Sequence, residues 1–356
     1  MSNPPPSRAP ALAALLRKVE GNPEAMIRLA GLMRGDGQGD EAHRLVRRAM
    51  ALAPADLRIV QLGREFLSDS VPKWHFVLVR DEVRNRAYDA ALRRAIRPGM
   101  RVLEIGTGSG ILAMMAARAG AAEVITCEVN PIVAATARTN IARNGYADRV
   151  RVIDKHSGKL DVEHDLGGRM DLLVSEIISN DLLAEDVLPA QEQAMRELLK
   201  PGAPVIPARG VIRVALAENS LPKHASVGIV DGFDLSAMED WRAPVLTVKN
   251  TDAEFALRSA PADLFTFAFD RAEHTPAERR SATLRATGGR ANGIVQWIHL
   301  TMDDVTTYEN APGSAHFSCW AMRFHPFLAP LETRAGDAVT IHGAHDRHRV
   351  RVWLEP

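Results

Sequence analysis

The sequence predicts an α/β chain in three parts: an N-terminal helical segment, a twisted parallel sheet flanked by helices, and a C-terminal antiparallel β-barrel. Three observations carry this. The apolar run Val102-Leu103-Glu104-Ile105 leads into Gly106, Gly108 and Gly110, and a helical pattern follows over Ile111–Ala117. That is the layout of a parallel strand turning tightly into a helix, the Rossmann-like arrangement. Strand-like and helical runs then alternate as far as Val205-Ile206-Pro207, as crossover helices require. Beyond Ala208 short alternating runs between turn clusters take over, the signature of an antiparallel sandwich or barrel.

Residues 1–10 are rich in Pro and Ser, and a disordered tail is expected there. Residues 11–70 read as helical. Counting from Pro23, small or apolar residues fall at Leu29, Ala30, Ala42, Val46 and Ala49, with Pro54 closing the unit and Gly35–Asp40 turning it. This spacing fits one tetratricopeptide-like helix pair, which must pack on neighbouring helices because one repeat cannot bury its own apolar face.

Residues 71–207 are expected to form the Rossmann-like unit, with the segment Val71–Ile96, whose helix carries Asp81, Glu82, Arg84, Asn85 and Tyr88, laid over the ligand. Side chains at Gly106, Gly108 and Gly110 would forbid the turn or push a ligand off the backbone. The spacing is acid-x-G-x-G-x-G, beginning at Glu104, and differs from the G-x-G-x-x-G of dinucleotide sites. The next strand, Val124–Cys127, ends in Glu128 about 20 residues on, where an acid binds ribose hydroxyls. Asn130 caps the following helix, with Pro131 at its first position. Val150–Ile153 is a further strand whose following loop, Asp154–Ser157, borders the crevice. Met170–Val174 is another, delivering Ser175-Glu176, and helical spacing resumes from Leu182 to Leu199.

Residues 208–356 are expected to form the barrel, with strands at Val211–Leu216, Phe265–Phe269, Val295–Leu300, Phe317–Phe324 and Val350–Trp353, and an arm near 225–242. The chain has 356 residues, with 44 Lys plus Arg against 44 Asp plus Glu. That balance disfavours nucleic acid as a partner. Cys127 and Cys319 are the only cysteines, and they read as small buried groups in a reducing compartment. With no long apolar span and no signal sequence, a cytoplasmic protein is expected. His342, His345 and His348 match neither a helix face nor a strand face, so no metal site is expected.

Glu176 and Glu185 flank Ile177–Ala184, with Glu185 placed about a turn into the next helix. Two carboxylates aimed at one point repel unless a cation fills the gap. A guanidinium suits them, because its rigid fork donates paired hydrogen bonds. Carboxylates on two edges can draw its charge to one side and leave another nitrogen more nucleophilic.

Ser175-Glu176 through Glu185-Asp186-Val187-Leu188-Pro189 resembles the double-glutamate loop of the protein arginine methyltransferases, and motifs in matching order extend over roughly residues 74–345. The resemblance is nearest to members that make monomethylarginine and to members carrying tetratricopeptide repeats. It implies S-adenosylmethionine as cofactor, arginine in a protein or peptide as acceptor, and a homodimer formed through the arm. By the same resemblance Arg84, in Asp81-Glu82-Val83-Arg84, meets the donor's methionine carboxylate. Lys155-His156-Ser157 lies at the adenine edge. Ser314-Ala315-His316-Phe317 stands for the Thr-His-Trp loop, which pairs His316 with Asp81. The family's Tyr-Phe-x-x-Tyr lid is missing; Lys73-Trp74-His75-Phe76 stands before the helix instead. The expected site is thus Glu176, Glu185, His316 and Asp81 for chemistry. Arg84, Glu104, Gly106, Gly108, Gly110, Glu128, Lys155, His156 and Ser157 are expected to hold the cofactor. The competing readings are another methyl acceptor, or a scaffold with a decayed site.

Overall fold

Residues 8–35, 39–220, 227–252 and 255–355 are described by the computed structural model. Helix α1 (Arg8–Val19) begins inside the stretch expected to be a tail, and residues 1–7 lie outside the described residues. Helices α2 (Pro23–Gly35) and α3 (Gly39–Leu52) form the expected pair; residues 36–38 of its turn are not described. Ala30, Ala42, Val46 and Ala49 are fully buried between them. Helix α4 (Leu57–Asp69), capped by the Asp56 carboxylate, completes the small core with Ile59 and Phe66. Arg47 reaches the parallel-sheet unit through Thr136, at 3.0 Å. The short α5 (Trp74–Leu78) and then α6 (Glu82–Ala95) lead into the sheet.

That sheet has five parallel strands, β1 (Arg101–Ile105), β2 (Glu123–Cys127), β3 (Val150–Ile153), β4 (Leu172–Ser175) and β5 (Val205–Ile206), in the order 3-2-1-4-5. Helices α7 (Ile111–Arg118) and α8 (Pro131–Arg143) connect the first three. Strand order reverses between β1 and β4, so a crevice opens at their carboxyl ends. The register pairs Ile105 with Ser175. The glycine turn and Glu176 are therefore neighbours, although they are far apart in sequence.

The helix expected from Leu182 starts later. α9 covers Val187–Gln193 and continues as a wider π-helical turn over Ala194–Leu198. Residues 182–186 are loop, with Leu182 and Asp186 in the left-handed region (φ 71° and 58°). Glu185 thus sits before the helix, not within it.

The C-terminal part is antiparallel. Its strands are β6 (Arg209–Glu218), β7 (Ile229–Val230), β8 (Phe233–Asp234), β9 (Leu246–Val248), β10 (Ala256–Leu257), β11 (Ala262–Ala268), β12 (Glu278–Thr301), β13 (Thr307–Glu309), β14 (Met322–His345) and β15 (Val350–Leu354). Strands β10, β6, β12, β14 and β15 are hydrogen-bonded in that order, with β11 on β6, β13 on β12 and β9 on β14. Among the described residues no ladder joins β15 back to β11, so hydrogen bonds do not close the expected barrel. Side chains draw the ends together instead: His345 meets Phe265 and Phe267 edge-on, at 4.8 and 5.0 Å. The strand expected over Phe317–Phe324 begins only at Met322; the residues before it pack toward the crevice. No described helix is long and apolar enough to cross a membrane.

Candidate active site

A cavity of about 600 Å³ opens at the switch point, bounded by the glycine turn, Glu128, Glu176 and Glu185, with Trp74 and His75 on another side. Gly106, Gly108 and Gly110 all have positive φ. A Cβ at Gly106 would lie 2.7 Å from Ile177 Cγ2 and 3.3 Å from the Glu176 carbonyl oxygen. Glycine there lets the turn approach the glutamate loop. Gly106 and Gly108 line the cavity, whereas Gly110 does not; it caps α7 against Ile141.

Glu128 is fixed by backbone donors: Gly108 N–H at 3.1 Å and Asn130 N–H at 2.9 Å. Burial pushes its pKa up, and these N–H groups resist the rise. The Asn130 side chain caps α8 by accepting from Ile132 and Val133. Glu104 is fully buried and takes a hydrogen bond from Thr107 Oγ1 at 2.9 Å. It is not among the residues that line the cavity. Burial pushes its pKa up to about 7. Lys155, His156 and Ser157 do line the cavity. Lys155 is paired with Asp165 at 2.6 Å, and His156 Nδ1 accepts the Gly158 N–H at 3.1 Å.

Asp81 caps α6, its Oδ1 accepting the Arg84 N–H at 2.9 Å. Its Oδ2 lies 2.6 Å from the Tyr308 hydroxyl and accepts the Cys319 N–H at 2.9 Å. His316, the expected partner, touches Tyr308 edge-on at 6.0 Å and makes no bond to Asp81; its Nε2 is buried without a partner. Strand pairing on β13 brings Tyr308 to Asp81 first. After Tyr308, the residue bonded to Asp81 is Cys319, through its backbone N–H and three positions beyond His316. Phe317 is 46% exposed, while Trp320 is buried and donates from Nε1 to the Ile178 carbonyl at 2.7 Å.

Arg84 and Glu176 form a buried ion pair at 2.8 Å, their side chains 1% and 6% exposed. The guanidinium lies near the rings of Tyr88 (5.1 Å) and Trp320 (5.9 Å). Burial works against the Arg84 charge, but Glu176 more than restores it. Burial outweighs the ion pair at Glu176, whose pKa is raised. Glu185 is in no ion pair among the described residues. Glu185 is exposed and lines the cavity, and its pKa is pushed up to about 7, first by desolvation and then by the Glu176 and Glu128 charges. Glu176, Glu185 and Glu128 thus gather around a cavity whose two lining cations among the described residues, Arg84 and Lys155, are paired with Glu176 and Asp165, an arrangement suited to a cationic planar group.

The β domain holds the loop between these glutamates. Ala321 N–H donates to Asn180 Oδ1 at 2.9 Å, and Arg323 pairs with Asp181 at 3.1 Å. Trp74 and His75, in the segment expected over the ligand, stack at 3.9 Å and line the cavity; sequence reasoning missed His348, which also lines it, and Tyr308 and Trp320 behind it. A Cβ at Gly108 would come within 3.8 Å of His75 Nδ1, which puts His75 over the glycine turn. The three late histidines have separate surroundings: His342 stacks on Trp353, His345 is buried on β14, and His348 faces Asp186.

A family model described as ribosomal protein L11 methyltransferase (PrmA) matches residues 90–214. The chain is 36% identical over 295 residues to the Arginine N(omega)-methyltransferase of Streptomyces achromogenes subsp. streptozoticus, covering 80% of this chain and 79% of that one. It is 32% identical over 281 residues to Protein arginine N-methyltransferase 7 of Drosophila grimshawi, covering 72% of this chain and 38% of the relative. This chain spans about two fifths of that longer protein. Among solved structures, a chain of the Trypanosoma brucei PRMT1 enzyme-prozyme heterotetrameric complex with AdoHcy superposes with a TM-score of 0.70, at 21% identity over 81% of this chain and 95% of that one. Protein arginine methyltransferase 10 of Arabidopsis thaliana gives 0.66, at 19% identity over 78% and 89%. At those identities the two structures speak for the fold.

Proposed function

The chain belongs to the protein arginine methyltransferase family, and from that premise we propose that it transfers a methyl group from S-adenosylmethionine to a guanidinium nitrogen of arginine in protein substrates. One observation carries the reading: Glu185, an exposed carboxylate with no ion-pair partner among the described residues, lines the same cavity as the glycine turn. An incoming guanidinium supplies the missing charge.

The cavity suits the cofactor. The glycine turn leaves backbone within reach of a nucleoside, and Glu128 is set by two N–H groups to meet ribose hydroxyls. Trp74 and His75 supply a cover in place of the missing lid motif. Bound there, S-adenosylmethionine supplies a methyl activated by its sulfonium. Everything else falls to the protein. Arg84 engages one oxygen of Glu176, which leaves the other oxygen for the acceptor. Arg84 is also placed to receive a carboxylate of the donor. Glu176 and Glu185 grip two edges of the guanidinium and orient the reacting nitrogen. Asp81, held by Tyr308 and the Cys319 N–H, fixes the start of α6 and thereby Arg84. Asp81 is then a positioning residue, and His316 has no direct part.

The test is mass analysis of arginine-containing peptides incubated with the chain and S-adenosylmethionine. Methylated arginine is the expected product, with one methyl group as in the monomethylating members it resembles. Unmodified arginine with methyl on another group would overturn the reading.

Dimerisation is part of the proposal. The arm described from Val227 to Arg242 exposes Ile229, Phe233 and Trp241 at 75, 72 and 80%; Ala225 lies outside the described residues. Large apolar side chains left exposed along one short arm support an interface there. Phe233→Glu together with Trp241→Glu is expected to convert a dimer to a monomer, as read by light scattering. An unchanged mass would remove the arm from the interface. The N-terminal helices are assigned as a tetratricopeptide-like cap docked on α8 through Arg47.

A further inference from the structure

The turn between β14 and β15 reaches out of the β domain to the far end of the glutamate loop. His348 Nδ1 lies 2.6 Å from Asp186 Oδ1, and His348 lines the cavity with Glu185. One residue earlier, Arg347 Nη2 donates to Glu192 Oε2 at 2.9 Å. Glu192 is buried on α9, and its Oε1 accepts the Thr275 N–H at 2.8 Å. One turn thus holds both the residue before α9 and a residue within it.

The backbone on both sides of this contact is unusual. Asp186 (φ 58°) and Arg347 (φ 77°) are non-glycine residues in the left-handed region, a conformation that persists only where its surroundings impose it. Asp186 also stands at the N-cap of α9, a position where aspartate ordinarily accepts from the helix's first free N–H groups. It makes no such bond. Its carboxylate points across to His348 instead. The fold forgoes a helix cap to make an interdomain contact directly beside Glu185.

We propose that His348 is a positioning residue for methyl transfer. It draws Asp186 away from the cap and so keeps the preceding side chain, Glu185, turned into the acceptor cavity. This rests on the reading of Glu185 as a guanidinium ligand. Without a donor at 348, Asp186 rotates back to cap α9 and Glu185 follows the backbone out of place.

The test compares His348→Leu, which removes the donor, with His348→Gln, which keeps one. Expected for His348→Leu is a fall in kcat on the order of tenfold, equal for arginine substrates with different flanking residues. Affinity for S-adenosylhomocysteine is unchanged by calorimetry, and Tm is not lowered because the cap bond replaces the lost contact. His348→Gln restores most of the activity. A purely structural contact predicts the reverse, a lower Tm with kcat intact. That result, or a loss that varies with the flanking residues, overturns the proposal. So does a parallel loss of S-adenosylhomocysteine binding. The two readings fail separately: a wild-type chain that methylates no arginine removes the function itself, whereas wild-type transfer left intact by His348→Leu removes only the role of His348.

Discussion

Glu185→Gln is expected to lower kcat/KM for the arginine substrate by about 10²–10³-fold, the usual effect of removing one charged contact to the reacting group. Affinity for S-adenosylhomocysteine stays as it was, because Glu185 touches the acceptor side. The pH profile is the sharper readout. Glu185 is held at about 7 by desolvation and by the Glu176 and Glu128 charges. It is protonated below that pH and cannot balance a guanidinium. The kcat/KM of the wild type should therefore rise through about pH 7 and level off above it, and glutamine should abolish that limb. Stability moves the other way. The folded pKa lies above the ordinary 4.5, so this proton's contribution is complete below about 4.5 and is lost as pH rises through about 7. A rate that is flat with pH in the wild type, or full activity in the variant, would dismiss Glu185 as a ligand for the acceptor.

The second large effect is expected at the buried Arg84–Glu176 pair. Removing one member of such a pair strands the other charge away from water, typically costing on the order of 3–5 kcal/mol. Arg84→Met and Glu176→Leu should each lower Tm clearly in calorimetry. The double variant, which leaves no lone charge, should recover most of that stability and none of the methyl transfer. Single variants as stable as the wild type would mean that water reaches the pair, against the 1% and 6% exposure of its side chains.

The parts of this site legible in the sequence were those set by local chemistry. Gly106 and Gly108, Glu128 at the end of its strand, and the Asn130-Pro131 cap are each specified within a few residues of themselves, and each occupies the place expected. Asp81 on a helix was legible for the same reason. Its partner was not, because which side chain reaches Oδ2 depends on the pairing of β13 with β12 and on the path from Tyr308 to Trp320. Periodicity contains neither. Asp81 therefore meets the Tyr308 hydroxyl and the Cys319 N–H, not His316. The helix expected through Glu185 failed on similar grounds: residues 182–185 are apolar enough for a helix, yet contacts from Trp320, Ala321 and Arg323 hold Ile178–Asp181 as loop. His348 looked like part of a histidine run because its meaning lies across the domain junction.

Tyr308, Trp320 and Arg323 brace Asp81 and the loop between the glutamates from a part of the chain that contributes no strand to the parallel sheet. The loop that carries both carboxylates is thus supplied by one stretch of gene and held in place by another. Mutation in the second stretch can shift the glutamates without altering a residue of the sheet that presents them.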